Sequence, residues 1–521
     1  MLRAVVLLLA LLLSACQAPW NDPYPAGTTG KNLLLRAFSA PPKHLDPVVS
    51  YSANEWGIIS QIYEPPLQYA YLKRPYALEP LTLTGMPTVR WLDEAGRPTT
   101  RERAVFSEYV LHLRHDIRYQ PHPAFVAGNR HLPAEKIAAL ETPYDLPQQA
   151  SRSLSAQDYV YAIKRMGVRA YQSPVLDVLA GRIVGLKAYS SKVSRDYEKW
   201  KKTHPDGGFF DLRPYAIEGV RAPDEHTLII RLKGRYPQFL YWLSMNFFAP
   251  VPWEVDAFYS QPGMKERNLT LDQWPVGTGP YMLVENNPNF RMRLVRNPNF
   301  HRERYPCTAS ADVPRTLLAD CGRPLPLTDG VLYTLEKESV PYWNKFLQGY
   351  YDASGVSSDA FDQAVQLSST GEIGLTPAMR EKGIRFLGGV QPTIMYFGFN
   401  MLDPVVGGLD ERHRKLRQAI SIAVNMEEYI ALFLNGRGVA AQEPIPPGIF
   451  GYQPPPAGIN PYVYELKDGQ LRRRPLAVAK RLLAEAGYPD GVDPKTGHPL
   501  KIYFEAVGGS PDDKARLDWL R

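Results

Sequence analysis

The sequence predicts a mixed α/β chain with two comparable halves that meet at a glycine–proline turn. Three observations carry this. Leu33–Phe38, a proline-bounded loop and a helical pattern from Glu55 make strand, loop, helix, the opening unit of an α/β lobe. The stretch Trp274-Pro275-Val276-Gly277-Thr278-Gly279-Pro280-Tyr281-Met282-Leu283 sets two glycines between two prolines, which specifies a tight backbone path with a strand leaving it. Beyond it, capped helices alternate with short strands. At 521 residues, 44% hydrophobic and 11% aromatic, the chain has apolar material for cores in roughly two to four domains. Its 49 prolines, well above the usual ~5%, predict many irregular loops around those elements.

The first residues carry an address. Arg3 precedes an apolar run from Ala4 to Leu13, which as a helix is about 15 Å long, half a bilayer, and so reads as a secretory segment rather than a span. Leu13-Ser14-Ala15-Cys16 resembles the bacterial lipobox, so residues 1–15 are expected to be a lipoprotein signal peptide and Cys16 the lipid attachment site. Residues 16–30, rich in Pro, Gly and Thr, are a flexible tether. An exported chain meets an oxidising compartment, and the remaining cysteines, Cys307 and Cys321, are expected to pair; closing so short a loop contributes about 3 kcal/mol in the chain-entropy model.

The elements follow in order. Leu33–Phe38 reads as a buried strand, and Glu55–Tyr63 as a helix with Trp56, Ile59 and Tyr63 on its apolar side. Tyr109–Tyr119 alternates as a half-exposed strand, and residues 121–153 form a long Pro-rich insertion without sustained pattern. Ser155 caps a helix with Asp158 near its positive end. Ile217–Val220 and Thr227–Leu232 form a hairpin around Pro223-Asp224-Glu225, and Phe239–Phe248 an aromatic helix. Val331–Leu335 is a strand, Val340–Leu347 a helix, and Gly349-Tyr350-Tyr351-Asp352 the start of a further strand. Thr393–Asn400 is an aromatic-rich strand, Arg412–Ala423 a helix, and Asn425 caps the next with Glu428 reaching back, until Asn435-Gly436. Pro475–Ala486 is a helix with Pro at its first turn and Gly487 just past its end. Lys501–Ala506 reads as a strand and Asp512–Leu520 as the opening of an amphipathic helix with no ending signal, so the second half is expected to be incomplete at its C-terminus.

Much chemistry is absent. No GxSxG, HExxH, CxxC or GxxxxGK[ST] occurs. Gly277-Thr278-Gly279 lacks the Lys-Ser/Thr of a phosphate loop, and Pro280 removes a donor such a cradle needs. The ten histidines are scattered, with His112 and His115 on opposite faces of the predicted strand, so no metal site and no cofactor are expected. A formal charge of +7 spread over this length, with Arg472-Arg473-Arg474 its densest run, does not make a nucleic-acid surface.

Several stretches in order resemble the family 5 extracellular solute-binding proteins of ABC importers. They are His44-Leu45-Asp46-Pro47, Ile62-Tyr63-Glu64-Pro65-Pro66-Leu67, Ala156 through Arg165, Val276-Gly277-Thr278-Gly279-Pro280-Tyr281 with Arg296-Asn297-Pro298-Asn299-Phe300, and Gly349-Tyr350-Tyr351-Asp352. Arg417-Gln418-Ala419-Ile420 through Glu428 and Leu483-Ala484-Glu485-Ala486-Gly487-Tyr488 complete the set. The resemblance implies a two-lobed periplasmic-binding-protein fold of type II. Lobe I is expected over 31–295 with an inserted subdomain at about 75–215, and lobe II over 296–521, carrying the cysteine loop.

It implies no enzyme. The implied role is a monomeric lipoprotein that captures peptides between its lobes and delivers them to ABC importer permease subunits, facing the periplasm or the outer surface of a single-membrane cell. The alternatives are another solute on the same fold (a nickel chelate, haem or an oligosaccharide) or an exported scaffold or enzyme. Expected ligand-binding residues are Tyr51, Ser52 and Asn54 after the first strand and Tyr396 and Asn400 at the end of the second-lobe strand; Gly277, Gly279 and Pro280 are expected to shape a hinge.

Overall fold

The computed structural model describes Tyr24 and residues 30–356, 360–367, 373–506 and 511–521. The expected signal segment, Cys16 and nearly all of the expected tether lie outside these. Among the described residues no helix is long and apolar enough to cross a membrane. The chain forms two compact units, the first Met1–Lys73 with Ala77–Gly355, the second Arg74–Tyr76 with Val356–Arg521.

The strands of the first unit are β1 (Leu33–Phe38), β2 (Leu67–Tyr69), β3 (Leu78–Pro80), β4 (Thr88–Leu92), β5 (Phe106–His112), β6 (Val220–Asp224), β7 (Thr227–Lys233), β8 (Tyr281–Asn287), β9 (Arg291–Arg296) and β10 (Gly330–Leu335). One sheet has the order β1-β10-β9-β8, with β1 parallel to β10 and the other pairs antiparallel. Helix α1 (Ala53–Ile59) belongs to this sheet's core, where Ile58, Ile59 and Ile62 meet Leu283, Met292, Leu294 and Val331. The second sheet, β4-β5-β7-β6, is antiparallel. Its inner face, with Tyr109, Leu111, Leu228, Ile230 and Leu232, shares a core with α2 (Ala156–Gly167), α3 (Leu186–Thr203) and α4 (Trp253–Tyr259).

The units part after Gly355 rather than at 295, because β10 inserts between β1 and β9 and draws residues up to 355, the Cys307–Cys321 disulfide included, into the first unit. The second sheet likewise recruits β6 and β7 from beyond the expected 75–215 insertion.

Local chemistry explains most departures from the sequence reading. β1 is half-buried, not buried, because it is a sheet edge. Its edge is closed by Asp352, whose N–H donates to Leu35 O (2.9 Å) while its carboxylate accepts the Leu35 N–H (2.6 Å), so the stretch after Gly349 caps the sheet and no new strand starts there. The half-exposed strand expected at 109–119 begins and ends earlier, as β5, and is buried through Ser107–Leu111. The 121–153 stretch is irregular but packed. In it, His122 accepts the Ala124 N–H at Nδ1, places Nε2 3.0 Å from Tyr259 Oη, and is held neutral by burial, which pushes its pKa down to about 3. The hairpin turn falls at Glu225-His226, and the aromatic helix breaks into Phe239–Trp242 and a 3-10 turn, Asn246–Phe248.

In the second unit Asn425 caps its helix as the sequence reads, while Pro475 stands at the N-cap of its helix rather than in the first turn. Helix α5 of the first unit (Ser339–Leu347) precedes α6 (Glu411–Ala423), α7 (Met426–Phe433) and α8 (Leu476–Glu485). The Asn425 side chain accepts the Glu428 N–H at 3.2 Å and donates to the Glu428 carboxylate at 3.1 Å. Gly487 takes a φ of 89° after α8, a conformation glycine adopts freely. Hairpins β11–β12 (Val365–Leu367, Ile373–Leu375) and β13–β14 (Tyr464–Lys467, Gln470–Arg473) complete its strands among the described residues. The strands expected at 393–400 and 501–506 are not formed: both segments lack a hydrogen-bonded neighbour among the described residues, and a strand exists only through its partner. A helix does occupy Pro511–Leu520, with the Trp519 ring 5.7 Å from that of Tyr429.

Candidate functional site

The loop before α1 presents the first group of expected ligand residues, and buried polar groups hold it from three sides. The Arg165 guanidinium of α2 donates to both Asp46 oxygens (3.0 and 2.8 Å) and to Asp256 of α4 (3.1 Å). Next to this cluster, burial and the Asp46 charge raise the pKa of Asp272, which contacts His44 Nδ1 at 3.1 Å. Asn246 donates to the carbonyls of Pro47 (2.8 Å) and Ser50 (3.0 Å), a reach made possible by the break in the aromatic helix.

Glu55 is the third support. Only 2% exposed, its carboxylate accepts the backbone N–H groups of Lys43, His44, Tyr51 and Ser52 and the Ser50 hydroxyl, all between 2.9 and 3.2 Å. Burial alone would raise its pKa; the N–H donors of Ser52 and His44, the Ser50 hydroxyl and the Tyr51 N–H outweigh it and hold the carboxyl below its ordinary value. This explains why Trp56 is not on the buried face: Glu55, Ile58 and Ile59 are, and the indole stands 44% exposed.

On this braced loop Tyr51 is 78% exposed. Ser52 is the N-cap of α1, and the Asn54 amide donates to the carbonyls of Ala40 (3.3 Å) and Pro41 (3.5 Å). All three residues are exposed, Ser52 at the helix cap and Asn54 with its amide engaged by the chain. In the second unit Tyr396 is 81% exposed, while Asn400 Oδ1 closes a local turn by accepting the Leu402 N–H at 3.0 Å.

The glycine–proline turn lies inside the first unit. A Cβ on Gly277 would stand 1.9 Å from the Ile62 carbonyl oxygen, and one on Gly279 2.8 Å from that of Gln61, so both glycines serve close backbone approach. Gly279 N–H donates to Ile62 O (2.8 Å), Tyr281 N–H to Gln61 O (3.0 Å), and Asn297 Nδ2 to Gly279 O (2.9 Å). Gly277 and Gly279 thus form a tight backbone crossing against Gln61 and Ile62 within the first unit.

Beneath this crossing, Glu64 accepts the Thr278 hydroxyl (2.7 Å) and pairs with His301 Nε2 (2.6 Å), the His301 side chain being fully buried. Burial disfavours the imidazolium, but Glu64 overrides it and raises the His301 pKa, with Arg114 opposing and Glu303 assisting. Nδ1 has no partner among the described residues, so the effect rests on Glu64. A raised native pKa gives stability that is complete below the unfolded value of about 6.5 and is lost as pH rises through the native value. The melting temperature of the parent is expected to decline over that interval, and that of His301→Gln to stay level, in thermal melts taken across pH.

Among the described residues no group of three or more His, Cys, Asp or Glu side chains is placed to hold a metal. A cavity of about 150 Å³ lined by Arg169, Asp177, Ala180, Gly181, Lys187 and Ser190 includes none of the expected ligand residues and is small for a solute site.

Residues 151–519 match the model of bacterial extracellular solute-binding proteins, family 5 Middle. Heme-binding protein A of Haemophilus influenzae is 24% identical over 311 residues, 59% of this chain and 46% of that protein. The dipeptide-binding protein of Escherichia coli is 22% identical over 284 residues, 53% of this chain and 42% of that one. The matched part of the chain thus spans less than half the length of these curated relatives. Among solved structures, the periplasmic binding protein DppA of Helicobacter pylori in complex with peptide STSA superposes with a TM-score of 0.53 at 18% identity, covering 88% of this chain and 67% of that one, a likeness of fold.

Proposed function

From the premise that the chain belongs to the bacterial extracellular solute-binding proteins of family 5, with a periplasmic-binding-protein fold, we propose that it captures peptides for an ABC importer. The observation that supports this beyond family membership is the braced loop: Glu55, Asn246 and the Arg165–Asp46 pair fix a recognition segment before any ligand arrives, which lowers the ordering cost of binding. Tyr51 offers a flat apolar face with a polar tip, suited to ligands of varied side chain. Tyr396 and Asn400 of the second unit are ligand candidates in the same reading. Export, acylation at Cys16, a monomeric state and delivery to permease subunits at the cell envelope are part of the same reading.

Tyr51→Ala is expected to weaken peptide affinity about tenfold, in isothermal titration, with the melting temperature held, since truncating so exposed a side chain shifts stability by less than ~0.5 kcal/mol. The broader test is native mass spectrometry of protein purified from its own host with co-purified solute retained, joined to a thermal-shift screen of peptides. Absence of any bound or stabilising solute would remove the receptor reading. Haem is the second reading, favoured by the similarity to Heme-binding protein A; a Soret band on titration with haemin, with no peptide response, would select it.

A further inference from the structure

The outer face of the second sheet carries a charge arrangement that solute capture does not use. At its centre is Glu108 of β5, its side chain 4% exposed. Arg231 of β7 approaches Oε2 with Nη2 at 3.0 Å, Arg221 of β6 reaches the same oxygen at 3.1 Å, and Arg90 of β4 stands 3.7 Å from Oε1. The strand register puts Arg90, Glu108 and Arg231 side by side, and Lys233 two residues further on the same face. The cluster therefore crosses all four strands, about 14 Å at the usual strand spacing.

One arginine in bidentate contact would neutralise Glu108. Three surround it, and among the described residues these three have no other carboxylate in ion-pair contact. The two on edge strands keep their side chains largely in water, Arg90 61% and Arg221 53% exposed. Guanidinium groups hold phosphate oxygens in planar, paired hydrogen bonds and give up their hydration more readily than ammonium groups. A broad sheet face bearing several of them suits an extended array of phosphates better than one small ion.

We propose that this sheet face rests on an anionic phospholipid surface, through Arg90, Arg221, Arg231 and Lys233. Weak electrostatic adhesion of this kind becomes effective when a second signal keeps the protein at the membrane, which is the role expected of Cys16. The adhesion itself does not require that anchor.

Vesicle co-sedimentation of the full chain tests this, comparing phosphatidylcholine vesicles with vesicles that also contain phosphatidylglycerol. The difference between the two isolates the electrostatic part, since any apolar leader or anchor binds both. Affinity for the anionic vesicles is expected to be about tenfold or more higher at low salt and to converge at high salt. The difference should shrink severalfold in Arg90→Gln/Arg221→Gln and persist in Arg90→Lys/Arg221→Lys, which preserves charge; melts of both variants check folding. Equal binding to the two vesicles, a preference undiminished in the glutamine pair, or binding confined to inorganic phosphate or to an acidic protein would each overturn the assignment.

Discussion

Gly277→Ala is expected to cost at least ~3 kcal/mol or to prevent folding of the first unit, because the added methyl would lie 1.9 Å from the Ile62 carbonyl oxygen. The obstacle is main chain, so no side-chain rotation relieves it. The Gly279 N–H to Ile62 O and Tyr281 N–H to Gln61 O bonds would have to open together to make room. Gly57→Ala is the matched control: it lies exposed in α1 with nothing within 4 Å of its built Cβ, and the usual helix preference for alanine predicts a gain of ~0.5–1 kcal/mol. Chemical denaturation of both variants should give opposite signs. A Gly277→Ala protein with parental stability would mean that the backbone of this crossing gives way without cost.

The second large effect is expected at Glu55. Glu55→Gln keeps the size of the side chain but sets an amide donor against backbone N–H groups that the carboxylate now accepts, and should cost ~2–4 kcal/mol. The direction with pH follows from the lowered native pKa. The contribution is complete above the unfolded value of about 4.3 and is lost as pH falls through the native one. The parent should therefore lose stability in acid where the glutamine variant shows no corresponding step. Because the same carboxylate holds the Tyr51 N–H, affinity for ligand should fall with stability, whereas Tyr51→Ala alone lowers affinity only. Comparing the two separates bracing from contact.

What could be read from the residues in order was mostly what neighbours decide. Ser155 with Asp158, Asn425 with Glu428, and Gly487 after Ala486 act within four positions of themselves, and each cap stands where the pattern put it. Burial and pairing that depend on distant chain were not legible. A glutamate buried in place of Trp56 makes sense only once the amides of residues 43–52 fold back over it. The stretch 393–400 has strand composition but no neighbour to bond with among the described residues. Arg90, Glu108, Arg221 and Arg231 look like ordinary surface charges until strand register assembles them. The twin glycines were recognisable as a tight turn, yet that they lie against Gln61 and Ile62 is a fact of tertiary packing.

The pairing of β1 with β10 bears on how the protein is made. Leu33 finds its neighbour at Gly330, so the first strand has no lasting place until most of the first unit has emerged. Sheets closed by such distant partners fold slowly, because the entropy of a long loop is lost before contacts compensate for it. In the export reading proposed for this chain, that delay would leave the sheet unlocked during translocation.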